Sequence, residues 1–109
     1  MSDARALYKQ GFNHFAQDEL DEAIDLYRQA IALEPALAIA WNGLSIALAQ
    51  RGDLTEAVEA AHKLIELEPD DALSHTNLSR ILMQQGKIPE AEDARGVAMR
   101  IQMKNQGGS

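Results

Sequence analysis

Apolar residues recur along the chain at steps of three and four positions, which is the spacing of one face of an α-helix. Two stretches show it most clearly: Ala23, Leu26, Tyr27, Ala30 and Ile31, and then Ala57, Ala60, Ala61, Leu64 and Ile65. No stretch alternates convincingly between apolar and polar residues with a period of two. The pattern therefore predicts helices and no strands.

Glycine and proline divide this helical pattern into six segments. Gly52 and Gly86 suit the left-handed position that ends the first helix of a unit. Pro35 and Pro69 stand where the second helix of a unit ends. Pro89 falls in the first turn of a helix, where its missing N–H is tolerated. The predicted helices span residues 4–17, 20–33, 38–51, 54–67, 72–85 and 88–104.

The chain also repeats with a period of 34 residues. The sequence Leu-Glu-Pro occupies positions 33–35 and again 67–69, and Glu-Ala occurs at 22–23, 56–57 and 90–91. Three units, at 4–37, 38–71 and 72–105, fill nearly all of the 109 residues. We expect one domain without room for a second, followed by a flexible tail at 106–109.

Each unit resembles the tetratricopeptide repeat, a 34-residue helix-turn-helix motif. The family's small residue at the helix crossing falls on Gly11, Ser45 and Ser79, and the alanine of its second helix falls on Ala23, Ala57 and Ala91. Further matching positions are Leu7, Trp41, His75, Ala30, Leu64, Ala98, Pro35 and Pro69. The resemblance implies an all-α fold, a right-handed superhelix or α-solenoid of three helix-turn-helix units.

Polar residues replace apolar ones in the two outer units. Gln10 and His14 stand where later units have leucine, while Glu92, Arg95 and Met103 replace apolar or proline residues of earlier units. A terminal repeat has a single neighbour, so polar residues on its outward side cap the stack. We expect a self-contained, monomeric array that lacks the extra final helix of many relatives.

Composition and charge narrow the range of partners. The chain is 46% apolar and 25% charged, which is ordinary for a folded domain. Its 17 acidic and 10 basic residues give a net charge of -7, which disfavours nucleic acid and anionic membranes as partners. It has no cysteine, no basic-then-apolar leader and no apolar run of membrane-spanning length. A cytoplasmic location is predicted.

Catalytic and metal-binding patterns are not found. His14, His62 and His75 fall on three different predicted helices without the spacing of a zinc-binding helix. No nucleophile elbow or phosphate-binding glycine loop is present. The prediction is a protein with no catalytic residues, no metal and no cofactor; a hydrolytic or metal-binding domain is the least favoured alternative.

The charges are distributed unevenly between the two sets of helices. The predicted first helices hold Arg5, Lys9, Arg51 and Arg80 and no acidic residue, which is +4 against -11 for the rest of the chain. The resemblance implies that these helices line a concave groove. The same depletion of acids would follow if much of their surface were simply buried.

By the resemblance, the groove-facing set mixes apolar, amide and cationic side chains. Its predicted peptide-binding members are Arg5, Tyr8, Lys9, Phe12, Ile39, Asn42, Ile46, Leu73, Asn77 and Arg80, and beside them lie Phe15, Gly43, Gln50, Thr76 and Gln84. Such a surface suits a partner peptide, extended or helical, with apolar anchors and some negative charge. The predicted function is a non-catalytic protein-interaction module.

The sequence also bears on two other modes of interaction. Met99, Ile101 and Met103 near the carboxyl end would let the chain act as a self-assembling scaffold, stacking through its last helix. Chaperone-adaptor members of the family bind the terminal carboxylate of a peptide with the side chains of Lys, Asn, Asn, Lys and Arg. The matching places here are Tyr8, Phe12, Gly43, Leu73 and Asn77, so the tails of Hsp70 and Hsp90 are disfavoured ligands.

Overall fold

A computed structural model describes residues 3–107, with side-chain surroundings given as far as residue 106. Over this range the chain forms six helices and no strand, as the sequence predicts. The helices are α1 (Asp3–Ala16), α2 (Leu20–Leu33), α3 (Ala38–Arg51), α4 (Leu54–Leu67), α5 (Ala72–Gln84) and α6 (Ile88–Gly107).

The last helix is longer than predicted. It continues to Gly107 rather than ending at residue 104, because Lys104, Asn105 and Gln106 are all compatible with a helix and no glycine or proline interrupts them. The first residues of the predicted flexible tail, 106 and 107, therefore form the end of α6. Residues 108 and 109 lie outside the described residues.

A left-handed residue ends the first helix of every unit. Gly52 and Gly86 have φ angles of 96° and 80°, and Asp18 occupies the same place in the first unit with a φ of 63°. Asp71 caps the start of α5: its carboxylate accepts hydrogen bonds from the backbone N–H of Leu73 and the hydroxyl of Ser74. Glu19 precedes α2 without such a bond; it pairs with His14 instead, 2.7 Å away.

The helices pack in chain order. Each helix contacts the next one, and in addition α1 contacts α3 and α3 contacts α5. Within residues 3–107, α2 makes no close backbone approach to α4, nor α4 to α6, so the second helices stand further apart than the first. The stack is therefore curved, with α1, α3 and α5 on its concave side.

Small residues allow the helices to approach closely. Ala23, Ala57 and Ala91 are fully buried at the same place in the three units. Tyr27 is the largest fully buried side chain, and its ring lies against two glycines: a Cβ atom on Gly11 or Gly43 would stand 2.9 or 2.8 Å from it. Such distances are shorter than a carbon–carbon contact, so both positions require glycine.

Candidate functional site: the concave face

An apolar side chain from each unit is exposed on the concave helices. Phe12 is 51% exposed, Ile39 40% and Leu73 67%. The ring of Tyr8 stacks between Phe12 and Tyr27, with centroid distances of 6.3 and 5.6 Å, and burial raises the pKa of the Tyr8 hydroxyl. Phe12 is therefore an exposed residue whose ring is held in place by Tyr8, rather than part of the core.

A chain of hydrogen bonds crosses this face beside the apolar residues. Asn77 Nδ2 on α5 donates to Asn42 Oδ1 on α3 at 2.9 Å, and an Arg80 guanidinium nitrogen donates to Asn77 Oδ1 at 3.2 Å. Both side-chain carbonyl oxygens are thus engaged, while within the described residues the Asn42 amide nitrogen has no side-chain or backbone partner. The amide pair consequently presents N–H donors to a ligand.

Two clefts flank the amide pair. One, of 70 Å³, lies between the first two units and is lined by Tyr8, Phe12, Phe15, Tyr27, Asn42, Gly43 and Ile46. The other, of 280 Å³, lies between the second and third units and is lined by Ala38, Ile39, Asn42, Leu64, Glu68, Asp71, Leu73 and Asn77. Asn42 belongs to both clefts, so the two clefts adjoin each other on the face formed by α1, α3 and α5.

Sequence reasoning missed four residues of the larger cleft: Ala38, Leu64, Glu68 and Asp71. Leu64 and Glu68 come from a second helix and its cap, which the resemblance alone assigns to the outer surface. The Leu-Glu-Pro repeat offered a signal for Glu68, because it marks the point where α4 ends next to the start of α5. The cleft therefore has a negative end that the sequence analysis did not anticipate.

The positive charges of the first helices do not all face this surface. Arg51 binds Asp21 at 2.9 Å and Asp53 at 2.6 Å, and these hydrogen bonds raise the pKa of its guanidinium. Its position at the end of α3 turns it toward α2 and the α3–α4 turn, so it adds no charge to the concave face. Arg5 and Lys9 are exposed on α1 but line neither cleft.

Other predicted groove residues have different surroundings. Phe15 packs against the hydrophobic core and is half-buried, as is Ile46, although both also line the smaller cleft. Thr76, Arg80 and Gln84 line a third cleft of 610 Å³ between α5 and α6. Gln50 is exposed at the end of α3.

The three histidines lie on α1, α4 and α5, and His62 and His75 line the same cleft. His14 pairs with Glu19, and His62 is exposed on α4. His75 Nε2 donates to the carbonyl of Pro69 at 3.0 Å, as Trp41 Nε1 does to Pro35 at 2.7 Å one unit earlier. Among the residues that the structure describes, no group of histidine and acidic side chains is arranged to hold a metal ion.

Family models match the chain over most of its length. A model described as tetratricopeptide repeat matches residues 4–65, and a second model of the same description matches residues 48–94. The chain belongs to the tetratricopeptide-repeat family. Its fold is accordingly the all-α solenoid of helix-turn-helix repeats that the resemblance implies.

Solved tetratricopeptide-repeat structures superpose closely on the chain. A crystal structure of MamA is 27% identical with a TM-score of 0.93, over 97% of this chain and 62% of that one. The chain thus spans about three fifths of the length of MamA. The domain of Sgt2 from Aspergillus fumigatus is 22% identical with a TM-score of 0.88, over 94% of this chain and 68% of that one.

A further neighbour was solved with a ligand. The first tetratricopeptide-repeat domain of Spaghetti (RPAP3), bound to the HSP90 peptide SRMEEVD, is 18% identical with a TM-score of 0.86, over 90% of this chain and 78% of that one. At this identity the likeness concerns the fold alone. No protein with a curated description matches the sequence significantly, and no helix in residues 3–107 is long and apolar enough to cross a membrane.

Proposed function

We propose that this tetratricopeptide-repeat chain is a non-catalytic interaction module that binds a peptide segment of a partner protein on its concave face. The observation that carries the proposal is the exposed row of Phe12, Ile39 and Leu73 beside the Asn42–Asn77 amide pair. Exposed apolar side chains supply anchoring contacts, and amide N–H groups bind the carbonyl oxygens of a peptide backbone. A cytoplasmic location stays a prediction from the cysteine-free sequence.

The charges on the concave face favour one orientation of a bound peptide. Glu68 and Asp71 lie at one end of the larger cleft, near the start of α5, and Arg80 lies more than two helical turns further along the same helix. A ligand in this cleft therefore has its apolar anchors over Ile39 and Leu73, with its negative group toward Arg80. A basic group fits the end near Glu68 and Asp71.

A peptide-display selection tests the proposal. Phe12, Ile39 and Leu73 are changed together to serine, and the matched control changes Leu33 and Ile88, which are exposed apolar residues of the second helices. Peptides selected on the unchanged chain are expected to lose at least tenfold in affinity for the concave variant, since hot-spot residues commonly contribute about 1–2 kcal/mol each. They should bind the control variant as before.

Two results would contradict the proposal. One is a selection whose peptides bind the concave variant undiminished, and the other is a set of peptides that lose binding only in the control variant. The HSP90 peptide SRMEEVD serves as a probe for the carboxylate-gripping mode. Because Tyr8, Phe12, Gly43, Leu73 and Asn77 supply none of the expected residues, we expect no saturable binding of this peptide at 1:1 stoichiometry.

A further inference from the structure

Within residues 3–107, no helix packs on the outer face of the α5–α6 pair. An offset of 34 residues relates the α5–α6 pair to the α3–α4 pair, whose corresponding face is covered by α5. Ala61 is fully buried there, and Ala49 and Ile65 are half-buried against the core. The corresponding residues at the carboxyl end are Met83, Arg95 and Met99.

These residues surround a cleft of 610 Å³, here called the end groove. Buried Ser79 and Ala98 form its floor, and Met83 and Met99, 47% and 50% exposed, stand on its two sides. The rest of its lining is Thr76, Arg80, Gln84, Arg95 and Gln102. Its position on α5 and α6 corresponds to the face of α3 and α4 on which the next helix, α5, packs.

The charge of the end groove is the opposite of that of the protein. The chain carries a net charge of -7, yet the groove lining has two arginines and no carboxylate. Arg80 donates to Asn77, and within the described part of the chain the Arg95 side chain makes no ion pair or hydrogen bond. Replacement of a buried alanine position by Arg95 therefore leaves a guanidinium available to whatever helix lies in the groove.

A second copy of this chain fits the groove poorly. Tyr27 contacts Gly43, so the 34-residue offset places Asn77 opposite Ala61 in the next interface. The residue of α1 that corresponds to Gly43 and Asn77 is Lys9. Stacking α1 of another molecule on the end groove would therefore bring Lys9 against Arg95 in a partly buried interface. Like charges in such a position oppose binding.

We propose that the end groove is a docking site for an amphipathic helix of a partner protein, with apolar side chains toward Met83 and Met99 and a carboxylate facing Arg95. This goes beyond the proposed function, because the occupant packs against α5 and α6 at the end of the stack rather than lying across α1, α3 and α5 on the concave face. A carboxylate pairs with the Arg95 guanidinium. A helix can pack against α5 and α6 in the way that α5 packs against α3 and α4.

The chain itself supplies a probe for this site. A capped peptide of residues 71–85 carries the sequence that covers the equivalent face, and the change Asn77→Glu places a carboxylate opposite Arg95. A peptide with Asn77→Lys is the matched control. Each is titrated into the full isotope-labelled chain while backbone amide shifts are followed by NMR.

The glutamate peptide is expected to shift amides around Met83, Arg95 and Met99 and to bind about five- to tenfold more tightly than the lysine peptide at low salt. The variant Arg95→Glu should reverse this preference; Arg95 is exposed, so the change is expected to leave the fold intact. Amide shifts near Phe12 and Ile39 report the concave face separately, so failure of one proposal is distinguishable from failure of the other.

Several outcomes overturn the inference. They are equal affinity of the two peptides, a preference that persists in Arg95→Glu, and absence of shifts at the end groove with either peptide. Sedimentation of the chain alone is expected to give the 12.0 kDa species. A dimer that Arg95→Glu abolishes would also overturn it, because the groove would then belong to a second copy.

Discussion

At the scale of single residues, the contact between Tyr27 and its two glycines fixes how closely the first units pack. Alanine at Gly43 would put a Cβ 2.8 Å from the Tyr27 ring, whereas alanine at Gly96 in α6 would meet only the end of the Arg100 side chain at 3.6 Å. Both are glycines within helices, so they differ in surroundings rather than in backbone.

The change Gly43→Ala is expected to lower the free energy of unfolding by about 1–3 kcal/mol, because overpacking outweighs the gain in helix propensity. Gly96→Ala should raise it by about 0.5–1 kcal/mol, since only the propensity gain remains. Urea denaturation followed by circular dichroism measures both. An equal effect of the two changes would mean that Tyr27 does not restrict position 43.

Tyr27 also makes stability depend on alkaline pH. Burial, with a smaller contribution from Tyr8, raises the pKa of its hydroxyl from 10.0 to about 12. The folded state therefore favours the neutral phenol: this stabilisation is fully present below pH 10 and is lost as the pH rises through 12.

The variant Tyr27→Phe removes this titration. Each pKa unit is worth about 1.4 kcal/mol, so between pH 9.5 and 12.5 the unchanged protein should lose roughly 2 kcal/mol more than the variant. Denaturant titrations at a series of pH values give the comparison, in which the contributions of the lysines cancel. Parallel curves for the two proteins would show that the hydroxyl titrates as it does in the unfolded chain.

At the scale of helices and turns, the position that ends each first helix separates the first unit from the other two. Asp18 adopts the left-handed conformation that Gly52 and Gly86 adopt in their turns. An L side chain is disfavoured there, although aspartate tolerates it better than most residues.

Replacement of Asp18 by glycine is expected to raise the free energy of unfolding by about 0.5–1 kcal/mol. The reverse changes, Gly52→Asp and Gly86→Asp, should each lower it by a similar amount, and nothing lies within 4 Å of a Cβ atom at either glycine. Thermal unfolding of the three variants tests this. Destabilisation by Asp18→Gly would indicate that the aspartate side chain contributes more than its backbone strain removes.

The helices could be predicted from the sequence because their limits depend on local signals. Three local signals are available: the apolar spacing, the glycines after α3 and α5, and the prolines after α2 and α4. Together they place five of the six helices within one residue of the structure. The exception is the end of α6, where no local stop signal precedes Gly107. The predicted helix stops at residue 104 because no apolar residue follows Met103, although the propensities of Asn105 and Gln106 permit a helix.

At the scale of the whole molecule, the contacts across the concave face are harder to predict from the sequence than the helices are. The repeat register indicates which helices share a side, but not which side chains meet across it. Arg51 pairs with Asp21, 30 residues away, and the Asn42–Asn77 bond also joins two units. Such pairs depend on side-chain conformation and on the spacing between helices, neither of which a 34-residue pattern specifies.

The distribution of charge also has to be considered over the whole stack. The sequence assigns +4 to the first helices, but Arg51 is neutralised by acidic neighbours and α1 begins with Asp3. Glu68 and Asp71 add negative charge to the larger concave cleft. The concave face is therefore divided into acidic and basic parts rather than uniformly basic.

The close fit of Tyr27 also determines the order in which the units can be joined. At the places that Gly11 and Gly43 occupy around this ring, the next interface has Ser45 and Asn77 around the much smaller Ala61. A duplicated copy of residues 38–71 inserted after residue 71 would set a second Gly43 against Ala61 and leave a gap the size of a phenol ring. The three units share a backbone plan, yet they are not interchangeable modules, and lengthening this stack by duplication would require a compensating change in side-chain size at the new junction.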